Sequence, residues 1–173
     1  NSYGGVDISK YIPWIESSLD FFEQHYRYLA SRHGRKQLDD NGHIVIYPGS
    51  GAETFKMAYN PTSTVCGLKT VTDNLIKYLS GIGADSTTLA RYKAMSSIWP
   101  DISYRDIDGH KVISPAVVWA RVNNTEPTML YPVFPWRKFG VGRDSLSVAV
   151  DTWKYDMIIL NWVINNFEYS PIF

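Results

Sequence analysis

The segment Asn41–Pro61, NGHIVIYPGSGAETFKMAYNP, places the tightest limit on how this chain can fold. It interrupts helical periodicity with a turn, a short apolar run and a Gly/Pro-rich loop. Asn41-Gly42 marks the turn, since both residue types tolerate positive φ. Ile44-Val45-Ile46 is β-branched and too short for a helix, which predicts a strand end. Tyr47, Pro48, Gly49, Ser50, Gly51 and Ala52 follow with little regular periodicity. Gly49 and Gly51 let the backbone around Ser50 turn sharply and approach another group closely. Glu53 stands in the middle of this loop, with Thr54, Phe55, Tyr59 and Asn60 behind it. A lone acid delivered from a strand end on such a loop is a common placement for a catalytic carboxylate. The competing reading is an ordinary surface loop whose glutamate caps the following helix.

Helical periodicity lies on both sides. Ile12, Ile15, Leu19 and Phe22 recur at three- and four-residue steps, and Tyr26 and Leu29 continue the stripe, so Ile8–Ser31 predicts a helix. Asp7 or Ser9 can cap it, Pro13 is acceptable only in its first turn, and Gly34 supplies the stop. A second helix is expected over Ser63–Leu79, with Val65, Leu68, Val71, Leu75 and Tyr78 on its apolar face. Asp85-Ser86 can cap a third, running to about Ile98, with Leu89, Tyr92 and Met95 inward and Trp99-Pro100 closing it. Leu146, Val150 and Trp153 mark a fourth helix, and Met157–Phe167 reads as a fifth.

Between the third and fourth helices the pattern changes. Tyr104–Ile107 and Lys111–Ile113 alternate around Asp108-Gly109, a strong hairpin signal. Ser114–Pro135 is long and irregular, with four prolines (Pro115, Pro127, Pro132, Pro135) and a concentration of Trp119, Arg121, Asn123, Asn124, Glu126 and Tyr131, and Trp136 follows directly. Irregular stretches of this length in a compact domain are usually functional. The bottom-up reading is mainly α, with small hairpins between helices and two polar constellations, around Glu53 and around Glu126, each following a hairpin.

Composition narrows the function classes. The chain has 17 basic and 17 acidic residues and formal net charge +0, which removes the electrostatic footprint of a nucleic-acid or anionic-membrane binder. Aromatics make up 14% of the residues, fitting a binder of uncharged polar ligands such as sugars and equally a large aromatic core. The single Cys66 excludes an intramolecular disulfide and a thiolate metal cluster. No cofactor and no metal are called for, and no apolar run reaches membrane-spanning length.

Three stretches, YIPWIESSLDFFEQHY, NGHIVIYPGSGAETFKMAYNP and RVNNTEPTMLYPVFPW, resemble a family of uncharacterised bacterial proteins grouped with glycoside hydrolases built on an (α/α)6 barrel. More distantly, the order of motifs is similar to the inverting 1,2-α-fucosidases of family 95. Those enzymes carry a loop G-x-L-x-x-x-P-S-x-S-P-E, with Gly42, Ile44, Pro48, Ser50 and Glu53 in comparable places here. The resemblance implies a general-acid role for Glu53 and a helical toroid as the fold. A later fucosidase motif ends in leucine-tyrosine-proline, as Leu130-Tyr131-Pro132 does. Where the fucosidases carry H-R-H-x-S-H before it, this chain has Arg121–Glu126, so the resemblance assigns no base. Their asparagine-rich base-positioning motif has no counterpart here.

The base is taken from the residues themselves. Glycoside hydrolysis needs a protonated carboxyl at the leaving oxygen and a second carboxylate to activate water or attack the sugar. Glu53 near Tyr47, Phe55 and Tyr59 is read as the acid. Glu126 is read as the ionised partner, oriented by Asn123 or Asn124; a loop glutamate bonding backbone amides is the alternative. If the mechanism inverts, the two carboxyls are expected roughly 6.5–9.5 Å apart. Tyr47, Tyr59, Asn60, Trp119, Arg121, Asn123, Asn124, Tyr131 and Trp136 are the candidate substrate-binding residues, with core packing the alternative for the tryptophans. The expected partner is a carbohydrate, and the expected setting is periplasmic or extracellular.

Two other classes stay open. A polysaccharide lyase would abstract a proton with Tyr47, Tyr59, Tyr131 or His43, but an acidic sugar calls for a denser basic cleft than Arg121, Arg137 and Lys138 provide. A non-catalytic carbohydrate-binding module would need neither glutamate. Residues 1–173 are expected to be one segment of a toroid, its C-terminal half or less, because a closed toroid needs about twelve helices. The wide apolar faces of Ile8–Ser31 and Met157–Phe167 would then be covered by the rest of that barrel or another protein segment. In isolation the chain is expected to expose an apolar patch and to lack hydrolase activity.

Overall fold

A 3-10 turn, Ser9–Tyr11, leads directly into the first helix. The computed structural model describes residues 6–143 and 145–156, and these group into two compact units. The first comprises residues up to 45 together with 71–99, the second residues 46–70 together with those from 100 onward. The Asp7 carboxylate accepts from the Ser9 backbone N–H at 2.9 Å and from its hydroxyl at 3.0 Å. These two bonds hold Asp7 below the usual carboxylate range.

Helix α1 (Ile12–Arg32) carries Pro13 in its first turn, where no backbone donor is lost. Leu19 and Tyr26 of the predicted stripe are buried, and so is Ala30. On the opposite side Trp14, Phe21 and Tyr28 recur every seven residues and remain 72%, 60% and 55% exposed. A seven-residue step is close to two helical turns, so these rings share one face.

Helix α2 (Thr62–Gly81) contributes to the first unit from Val71 onward, burying Thr72, Leu75 and Leu79. Helix α3 (Ser86–Ile98) starts at Asp85, whose carboxylate accepts from the Thr88 N–H at 2.9 Å and its hydroxyl at 2.7 Å. Tyr92 and Met95 are buried, as the spacing predicts. The helix stops at Trp99, extended at φ −72° and ψ 134° ahead of Pro100. The fully buried Trp99 indole N–H donates to the Thr72 hydroxyl at 2.9 Å, which satisfies its one polar atom.

The second unit holds strands β1 (Gly49–Gly51) and β2 (Phe55–Ala58), the hairpin β3 (Tyr104–Ile107) and β4 (His110–Ile113), the short β5 (Arg121–Val122), and helix α4 (Leu146–Tyr155). The turn between β3 and β4 places Asp108 at φ +52° and Gly109 at +83°, the left-handed pair that the Asp-Gly signal predicts. Strands β1, β2 and β5 form one antiparallel sheet with β2 in the middle, and β3 with β4 forms a second. Helix α4 packs on β4, where the Ile113 N–H donates to the Thr152 hydroxyl at 2.9 Å. Phe55, Ile113, Met129, Leu130, Val133, Phe139 and Ala149 make the core between these elements.

The expectation of a mainly α, (α/α)6-type toroid is overturned. The described residues contain four α-helices and two small antiparallel sheets, and no helical toroid is evident among them. The physical reason lies in what the segments pair with. In a toroid, helix packs on helix and the connections are loops. Here α4 packs on a strand, and two stretches read as helix-connecting loops, around Glu53 and Arg121, use their backbone groups in one sheet. The fifth helix expected at Met157–Phe167 lies outside the described residues.

A second correction concerns Ile44-Val45-Ile46. All three are buried, yet they pair with no strand. The strands lie after them, in the stretch read as irregular loop. Asn60 supplies the bonds a partner strand would give: its side-chain oxygen accepts from the Ile46 N–H at 2.8 Å, and its own N–H donates to the Ile46 carbonyl at 3.0 Å. Asn60 is at φ +50°, a conformation asparagine tolerates better than most residues. Asn60→Ala removes the acceptor and leaves the Ile46 N–H buried and unpaired. We expect about 1–3 kcal/mol of lost stability, read as a lower urea midpoint with an unchanged m-value.

Candidate functional site

The site is assembled by one buried threonine. Thr54 is fully buried at the end of the β1–β2 turn. Its hydroxyl donates to the Glu126 carbonyl at 2.9 Å, and its own carbonyl accepts from the Asn123 N–H at 2.8 Å. These bonds continue the pairing of β2 with β5, where Phe55 faces Val122 and Lys56 faces Arg121. They draw the Glu53 turn and the Asn123–Glu126 loop together although the two are far apart in sequence.

Both candidate carboxylates have side-chain partners in this region. The Glu53 carboxylate accepts from the Asn124 amide at 3.3 Å. The Glu126 carboxylate accepts a short hydrogen bond from the Tyr131 hydroxyl. A phenol donating to a carboxylate fixes its orientation. Glu126 is half-buried, while Glu53 is exposed. The enclosure expected from Tyr47, Phe55 and Tyr59 is therefore not built around Glu53: Phe55 goes wholly into the core, and the Tyr47 and Tyr59 rings lie 6.1 Å apart against each other.

The remaining candidates divide by what they touch. Asn124 and Tyr131 touch the two carboxylates directly. Asn123 contributes its backbone N–H to the tie with Thr54. Arg121 is exposed on β5. Trp119 is half-buried, its ring edge-on to Phe55 at 5.2 Å and 5.8 Å from the Arg105 guanidinium. Arg105 is in turn ion-paired with the buried Asp156. Trp119 thus stands at the margin of the core.

Trp136 and Asn60 serve the fold. The Trp136 indole N–H donates to the Ser63 carbonyl at 3.1 Å, and its ring fills the place a Cβ on Gly67 would occupy, 2.8 Å from the ring carbon Cζ2. Asn60 is committed to Ile46. Cys66 is buried, and burial pushes its thiol up to about 11.

Two residues of the site were missed in the sequence. Thr54 carries no motif, and its importance comes from partners far along the chain. Lys56 receives no role in the sequence reading. Its ammonium donates to the Ser50 hydroxyl and the Ala52 carbonyl, both at 3.1 Å, across the β1–β2 turn. The alternation Thr54-Phe55-Lys56 was the available signal, since a two-residue period places Phe55 and Lys56 on opposite faces.

No protein-family model, no curated protein and no solved structure matches this chain. No helix among the described residues is long and apolar enough to cross a membrane.

Two outcomes check this arrangement. Thr54→Val keeps the shape but removes the donor to the Glu126 carbonyl. It should lower stability by about 1–3 kcal/mol, and amide exchange should speed up at Asn123 and its neighbours before it does at β3 and β4. At pH 8 a thiol raised to about 11 is neutral as well as shielded. Native protein should therefore leave Cys66 unmodified by Ellman's reagent, with reaction appearing in step with urea unfolding.

Proposed function

We propose that the chain carries the acid/base carboxylates of a glycoside hydrolase, with Glu53 as general acid and Glu126 as the base that activates water, in an inverting reaction. One observation carries the reading: Glu126, gripped by the Tyr131 hydroxyl, sits on a loop that Thr54 fastens to the turn bearing Glu53. A base must hold one orientation toward its water, and the phenol bond supports that. The exposed Glu53 is on the side from which a saccharide arrives, and the Asn124 amide restrains its carboxylate. Binding of the glycan over Glu53 would supply the desolvation a proton donor requires. Arg121, exposed beside this turn, and the half-buried edge of Trp119 offer hydrogen bonding and ring contact to sugar. The likeness of Gly42, Ile44, Pro48, Ser50 and Glu53 to the acid-bearing loop of family 95 supports the assignment of Glu53.

The exposure of Glu53 favours one second reading, a carbohydrate-binding module without catalysis, since a surface carboxylate can accept sugar hydroxyls without transferring a proton. Both readings are tested in the full-length protein by glycan cleavage followed by NMR of the released anomer. Glu53→Gln and Glu126→Gln should each lower kcat by about two to four orders of magnitude while glycan affinity stays within a few-fold, and the product anomer should be inverted. Full activity in either variant removes that residue from the mechanism. Glycan binding with no cleavage by the wild type decides for the binding module.

A further inference from the structure

The sheet β1–β2–β5 sets three side chains in one row. Ser50 on β1 pairs with Lys56 on β2, and Lys56 pairs with Arg121 on β5. Directly opposed residues in an antiparallel sheet project from the same face, so Ser50, Lys56 and Arg121 leave the sheet on one face. Phe55, next to Lys56, is turned the other way and is fully buried. The row therefore occupies the face away from that part of the core.

This juxtaposition is energetically unusual. Like charges directly opposite each other in a sheet are destabilising, and natural strands usually interleave them with acids. Among the described residues neither Lys56 nor Arg121 lies within ion-pair distance of a carboxylate. The Lys56 ammonium is held by neutral oxygens, those of Ser50 and Ala52. Glu53 is near in sequence, but its carboxylate is bonded by the Asn124 amide. Among the described residues two cations at paired positions thus have no acid partner, one held by hydrogen bonds and the other exposed, in a chain whose formal net charge is +0. An excess of positive charge this local suits a single anionic group, not a polyanion tract.

We infer that the Ser50–Lys56–Arg121 row is a recognition site for an anionic group, carboxylate or sulfate, on the saccharide, so that the substrate is an acidic glycan. This rests on the carbohydrate reading above. The Arg121 guanidinium can take two oxygens of such a group in a fork and Lys56 adds a point charge, while the Ser50 hydroxyl, which donates to the Ala52 carbonyl and accepts from Lys56, positions the ammonium. The row adjoins the turn carrying Glu53, so an acidic sugar seated on it lies next to the proposed acid. The local positive charge that composition did not reveal comes from pairing two basic residues of distant segments.

The test is retention of the immobilised full-length protein on an array of uronate-bearing, sulfated and neutral oligosaccharides, measured without turnover. The array includes uronate oligosaccharides with their carboxyls reduced to alcohols, and a single-stranded oligonucleotide. Retention is expected on uronate or sulfated members, whichever carries the matching group. It should fall about tenfold or more on carboxyl reduction if uronates are bound, and about tenfold or more in Lys56→Gln and Arg121→Gln. Circular dichroism should show both variants folded, since neither side chain belongs to the buried core. Equal retention of neutral glycans, retention of no acidic glycan, wild-type retention by both variants, or equal binding of the oligonucleotide would each overturn the inference. Because no cleavage is scored, failure of Glu53 and Glu126 as catalysts leaves this result readable on its own.

Discussion

Thr54 is the residue on which the candidate site depends, because its hydroxyl and its carbonyl both join segments that share no local sequence. A buried hydroxyl and a buried carbonyl must each find a partner or bear a desolvation cost of about 1–3 kcal/mol. Here the partners are the Glu126 carbonyl and the Asn123 N–H. The same requirement runs along the neighbouring backbone. The Lys56 carbonyl accepts from Ala120, and the Tyr59 N–H and carbonyl bond Val118 and Val117 at 2.9 Å each. The region from Thr54 to Tyr59 is thus bonded step by step to the region from Val117 to Glu126. This zipper, more than any side-chain cluster, decides that Glu53 and Glu126 belong to one neighbourhood.

On one side of the zipper Phe55 anchors the sheet in a core shared with Ile113, Met129 and Leu130, with the Trp119 ring against it. On the other side lie the charged positions Lys56 and Arg121. A central strand covered on one face and polar on the other is the usual solution for an antiparallel sheet. What departs from it is the sign of the charge, since two cations are opposed with no acid between them. This part of the sheet therefore combines an apolar backing with two basic positions on its other face.

Asn60 and Trp136 show why residue type alone misassigns function. Polar and aromatic side chains in irregular segments suggest ligand contacts, yet both are fixed by the fold. Asn60 completes the hydrogen bonding of an extended segment that lacks a partner strand, and the Trp136 ring fills the space left by Gly67. Nothing local distinguishes these two from Asn124 and Tyr131, which do reach the carboxylates. The difference lies in which backbone each one meets.

By itself the sequence determined the features that depend on a few neighbouring residues. The four described helices follow from three- and four-residue apolar spacing, the α3 start from the Asp85 side chain, and the β3–β4 hairpin from the conformational tolerance of Asp108-Gly109. These are settled within one or two turns of chain, so pattern suffices. The sheet β1–β2–β5 was not legible, and with it went the fold class. Its strands are two to four residues long, β1 is two glycines around a serine with an irregular register, and β2 pairs with a strand from far along the chain. Short strands carry too little alternation to be read, and their pairing is selected by the hydrogen bonds and burial available once both segments are present. Tertiary structure alone decided that the two glutamate loops adjoin, that Asn60 faces Ile46, and that Lys56 stands opposite Arg121. Each is a contact between distant residues, and such contacts are fixed by the satisfaction of buried backbone groups, for which single-chain periodicity holds no record.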